Sequence, residues 1–146
     1  MSKFQFRLES LLRIRESARD QCHAQLAESR RAEEELRIQL ERSRMERQRL
    51  QQDCRKAAGP GELDVDWLAE AHRYALSLLD RETELLRQMQ IVAEEIDRRR
   101  EALLQADRKV HVLEKLREHR LENHRREQER QDAKHLDEVA LLGVGR

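Results

Sequence analysis

From Leu68 to Leu113 apolar residues recur at alternating intervals of three and four: Leu68, Ala71, Ala75, Leu78, then Leu85, Met89, Val92, Ile96, then Leu103, Ala106, Val110, Leu113. Only Glu82 and Arg99 interrupt the series. A helix turns once in about 3.6 residues, so this spacing keeps a narrow apolar seam on one face. A seam sustained over about six heptads needs a second helix to cover it, and predicts a coiled coil.

The covering helix is found upstream. Leu8 and Leu12, Cys22 and Leu26, Leu36 and Leu40, Leu50 and Cys54 form apolar i,i+4 pairs. The layers between them are polar: Arg15 and Arg19, Ser29 and Glu33, Ser43 and Arg47, with Leu11, Ile14, Ala18 and Ala32 one step aside. This weaker stripe predicts a first helix from about residue 5 to 57. Gly59-Pro60-Gly61 then stops it, in a turn spanning 58–64. Asp64 or Asp66 supplies an N-cap for a second helix from about 65 to 138.

Two seamed helices joined by so short a break fold back on each other. The expected fold is all-α: a long two-helix antiparallel coiled-coil hairpin forming a single domain over residues 1–146. Folding about residue 61 sets Phe6 opposite roughly residue 116 and leaves a charged helix 2 overhang to about 138. Residues 143–146 are expected to be a disordered tail.

Composition agrees with helices. Charged residues are 41% of the 146, aromatics 3%, and proline occurs once, which suits a buried stripe and not a thick core. Net charge is zero, yet residues 1–58 carry 14 basic and 10 acidic groups while 59–110 carry 8 and 12. That imbalance favours pairing of the two segments and argues against a dedicated nucleic-acid surface. No stretch has the apolar length of a membrane span or a secretion signal. Cys22 and Cys54 are separated by roughly 48 Å of helix, cannot bridge, and suit a reducing compartment.

Catalytic and metal readings find little support. Histidines 23, 72, 111, 119, 124 and 135 show no i,i+4 pair, so neither a metal site nor a cofactor is expected. A two-helix hairpin has no pocket to exclude water, so neither an enzyme nor a small-molecule substrate is expected. Arg98-Arg99-Arg100 is flanked by Glu94, Glu95, Asp97 and Glu101 and reads as a solvated charged face. Tyr74, Leu79 and Leu86 widen the stripe of helix 2, either for closer packing or as a docking patch.

The N-terminal block Lys3-Phe4-x-Phe6-Arg7-Leu8-x-x-Leu11-Leu12-x-x-Arg15 resembles the opening of the bacterial flagellar export protein FliJ family. Leu26-Ala27-Glu28, Tyr74-x-x-x-Leu78, Leu113-Glu114-Lys115-Leu116 and Leu136-Asp137-Glu138 follow in the order of that family. The resemblance implies a cytoplasmic, non-enzymatic component of the flagellar type III export apparatus, peripherally associated with the inner membrane at the flagellar base. Its implied partners are the hexameric export ATPase, which it stimulates as a stalk, the membrane export gate protein and export chaperones.

By that analogy the ATPase contact falls on Phe4, Phe6, Arg7, Leu8, Leu11, Arg117 and Arg120, and the gate contact on Tyr74 and Leu78. A generic coiled-coil scaffold, a virulence-type secretion stalk and a nucleic-acid-binding helical protein are the alternatives.

Overall fold

A computed structural model describes residues 2–59, 61 and 63–145. Two long helices pack against each other, α1 from Glu9 to Ala57 and α2 from Val65 to Val144. Among the described residues there is no strand.

Local chemistry accounts for the helix ends. The α1 amide ladder starts with Glu9 N–H to the Phe6 carbonyl at 3.1 Å and Leu12 N–H to Leu8 at 2.9 Å. Arg55 and Lys56 lie in its last turn, where cations oppose the helix dipole. Gly61 has φ +156°, a backbone state that L side chains rarely adopt. Pro60, the expected helix stop, lies outside the described residues. Asp64 is the N-cap of α2, its Oδ1 accepting the Trp67 amide at 3.1 Å.

The seam of α2 is covered along its whole length: every position from Leu68 to Leu113 in the three-four series is buried or half-buried. Leu78, Leu85, Ile96, Val110 and Leu113 are buried, while Leu68, Met89, Val92 and Leu103 are half-buried. In α1 the polar layers follow the expected face, with Ser29 and Ser43 buried. Glu33 departs from it and is exposed, while Ala32 takes the half-buried place. A carboxylate can leave a seam at little cost when the next residue is small and apolar.

The chain groups into two compact units, Met1–Cys22 with Ala102–Arg146, and His23–Glu101. In the second unit Arg47 Nε donates to Glu82 Oε1 at 2.8 Å, with Arg44 at 4.0 Å. Nearer its other end Arg99 donates to the Gln25 carbonyl and to Glu95 Oε1, the latter at 2.8 Å. Partners therefore fall in number along α2 as they rise along α1, which makes the pairing antiparallel. Glu82 and Arg99, the two breaks in the apolar series, both make cross-helix polar bonds.

The first unit is built differently. Its core is Phe6, Leu12, Val110 and Leu113, with Phe4, Leu8 and Leu116 packed against it. Arg117 Nε lies 3.4 Å from Glu9 Oε2, and Arg19 Nε 4.0 Å from Asp107 Oδ1, again antiparallel.

Helix 1 does not start near residue 5, because residues 2–6 are non-helical and 7–8 form a turn. Phe4 and Phe6 explain this. Two residues apart, they point the same way only from extended backbone, and in a helix they would diverge by about 200°. The burial of both rings against α2 therefore delays the helix.

The far end also departs from expectation. Helix α2 continues through Val144, beyond the expected end at 138 and into the stretch expected to be disordered. Arg146 lies outside the described residues.

Candidate interaction surfaces

The N-terminal strap, residues 2–8, gathers most of the residues expected at one partner contact. Phe6 is 8% exposed and carries the Arg120 guanidinium 5.8 Å above its ring centre. Phe4 lies against the His124 imidazole, ring centres 5.6 Å apart. At the strap's start His124 Nε2 is 3.2 Å from the Ser2 carbonyl, and Gln128 Nε2 donates to Ser2 Oγ at 2.6 Å.

The strap thus covers α2 as far as Gln128, where a fully exposed overhang from residue 117 was expected. Extended chain advances about 3.3 Å per residue against 1.5 Å in a helix. Six steps of strap therefore match about thirteen residues of α2. His124 and Gln128, which hold the strap, went unnoticed in the sequence. The alternation Phe4-x-Phe6 is the one local signal that could have shown an extended segment.

The remaining residues of that expected contact are divided by their partners. Arg117 is tied to Glu9, and Leu11 lies open on α1 at 36% exposure. Arg7 and Arg120 line one shallow hollow with Leu8. No carboxylate pairs with either guanidinium among the described residues.

Beyond the strap, residues 129–145 are all exposed. The last turns carry Leu136, Val139, Leu141, Leu142 and Val144, at 53–85% exposure. At about 100° per residue these side chains point around the whole circumference of the helix, not to one side.

Tyr74 and Leu78 do not share a surface. Leu78 is 3% exposed, buried in the seam, and is unavailable to a gate partner. Tyr74 is exposed, and its hydroxyl donates to the Glu46 carboxylate, which pushes the phenol pKa above its ordinary value. Leu79 and Leu86 lie about 140° round the helix from positions such as Tyr74, on the opposite flank of the seam. The expected single patch is therefore two flanks. On the second, Leu79 joins Leu50, Cys54, Leu68, Ala71 and Ala75 in an open groove.

Among the described residues, most of the surface ion pairs lie within one helix. Arg98 and Arg99 both bond Glu95, and Arg100 lies 4.0 Å from Asp97. The Arg87 hydrogen bonds, with help from Gln88, hold the Glu84 carboxyl down to about 2. Arg37 lowers Glu34, and Arg98 lowers Glu95, by the same means. Cys22 and Cys54 are free and half-buried. Among the described residues no group of three or more His, Cys, Asp or Glu is placed to hold a metal, and no helix is long and apolar enough to cross a membrane.

These features define a class: a helical hairpin with open grooves, a strapped end and a bare helix tip. Residues 4–146 match the family described as Flagellar FliJ protein, nearly the whole chain, and the chain belongs to that family. It is accordingly a flagellar export-associated protein. Comparison with curated proteins and with solved structures gives no match.

Proposed function

We propose that this chain is the non-enzymatic stalk of the flagellar export apparatus, binding and stimulating the hexameric export ATPase. The observation that carries the reading is the tip of α2. A helix end that carries apolar side chains on every side is suited to enclosure and not to lying on a flat surface. The central opening of a ring offers such enclosure, and residues 136–144, which carry those side chains, supply about 14 Å of helix to fill it. The strapped end lies alongside, so Leu11, Arg7 and Arg120 would meet the mouth of the ring. Phe4 and Phe6 would act from within, by holding the strap in place.

The same reading assigns a link to the membrane export gate and to export chaperones, at the cytoplasmic face of the inner membrane. Tyr74 is the accessible half of the gate contact, and Leu78 supports it only by packing. The test is to mix the purified protein with its cognate export ATPase and follow ATP hydrolysis. Hydrolysis should rise with the wild type, and Leu141→Asp with Leu142→Asp should remove the rise while leaving helicity unchanged. Equal stimulation by that double variant would defeat the tip's role. No stimulation by the wild type would defeat the stalk reading.

A further inference from the structure

We infer that Arg7 and Arg120 form a two-pronged receptor for a carboxylate of the partner protein, assembled by the strap; this rests on the ATPase-binding reading above. Arg7 is carried on the non-helical strap and Arg120 on α2, and both line the hollow together with Leu8. The Phe6 ring lies under the Arg120 guanidinium at 5.8 Å, so the residue that anchors the strap also positions one prong. Several other arginines of this end are engaged: Arg117 with Glu9, Arg19 with Asp107, Arg126 with Glu122, Arg130 with Glu127. Arg7 and Arg120 have no carboxylate partner among the described residues.

The strap contains Lys3 and Arg7 and no acidic residue, so nothing within it can neutralise the pair. Two guanidiniums converging on one hollow repel each other, and an incoming carboxylate removes that repulsion while accepting forked hydrogen bonds. The occupant is therefore an acidic side chain of the partner, Asp or Glu. Phe6 is a positioning residue: its ring sets Arg120, and its apolar bulk holds the strap that carries Arg7.

Affinity for the export ATPase would be measured by calorimetry at low and high NaCl for wild type, Arg7→Gln, Arg120→Gln and the double variant. Each single variant should weaken binding about fivefold, and the double variant at least tenfold with a flatter salt dependence. Phe6→Leu, which keeps an apolar anchor, should weaken wild-type binding about threefold and change nothing in the Arg120→Gln background. Equal losses in both backgrounds would make Phe6 merely structural and overturn its part.

Binding by the double variant at wild-type strength, or a matching loss in the remote Arg100→Gln, would overturn the receptor and leave the stalk reading intact. Failure of the wild type to bind would overturn both. Capture of the protein by phosphatidylserine vesicles, abolished by the same double substitution, would reassign the hollow to a lipid surface and overturn the carboxylate assignment.

Discussion

The two compact units use the same helix α2 but cover it in different ways. In His23–Glu101 the cover is another helix, and the seam alternates apolar layers with polar ones such as Arg47–Glu82 and Arg99–Gln25. In the unit holding the N-terminus, the cover changes from helix to extended strap at Glu9, and the strap packs through two phenylalanines. A helix covers its partner residue for residue. A strap covers about twice as many, with no hydrogen-bond ladder of its own. The helical cover therefore favours specificity of pairing, while the strapped end depends on a few large side chains.

The largest expected effect tests that dependence. Phe6→Ala should cost about 3 kcal/mol in the strapped unit, because a buried ring is removed from a core of only a few residues. Hydrogen exchange should show amides near 106–128 losing protection while those near 26–50 keep it. Uniform loss along α2 would mean that the two units do not open separately.

Arg47→Ala is the matching test in the other unit. It leaves the buried Glu82 carboxylate with only Arg44, 4.0 Å away, and should cost about 2 kcal/mol in chemical denaturation. Pairing Arg47→Leu with Glu82→Leu should recover most of that stability, because an apolar layer suits the site. If the pair were as unstable as Arg47→Ala, packing and not charge burial would govern the layer.

Smaller still is the cap. Asp64→Ala removes the acceptor of the Trp67 amide and should lower stability by about 1 kcal/mol, read as a lower melting temperature. Asp64→Asn should keep most of it.

The least effect comes from the surface carboxylates. Glu34, Glu84 and Glu95 have pKa values below the ordinary 4.5, so their arginine bonds stabilise the helices fully above that value. The contribution is lost as pH falls through the lowered values, about 2 for Glu84. Helicity should decline gently between about pH 4.5 and 2, and Glu84→Gln should flatten part of that decline. A decline centred near pH 6 would point to histidine instead.

The gathering of residues at the candidate site was partly legible beforehand, but which of them stay exposed was not. Phe4, Phe6, Leu8, Arg117 and Arg120 were expected to lie together, and the structure gathers them in one unit. Leu78 shows where reading by motif fails: its place in Tyr74-x-x-x-Leu78 suggested a contact, while its place in the seam required burial. The seam prevailed, because moving an apolar side chain of that size to the surface forfeits about 2 kcal/mol.

What the sequence alone determined was whatever depends on neighbours within a few turns. The heptad spacing of α2, the Asp64 cap and the stop after Ala57 follow from helix period and backbone hydrogen bonding, and each is visible in a window of a dozen residues. Tertiary structure decided the rest: the strap laid to Gln128, the pairing of Arg47 with Glu82, the gathering of Arg7 with Arg120, and the division into two units. Those depend on which residues far apart in sequence, from 35 to 126 positions, come to face each other. A periodic pattern specifies that a face will be covered, but the covering segment's own geometry, extended or helical, sets how far the cover reaches.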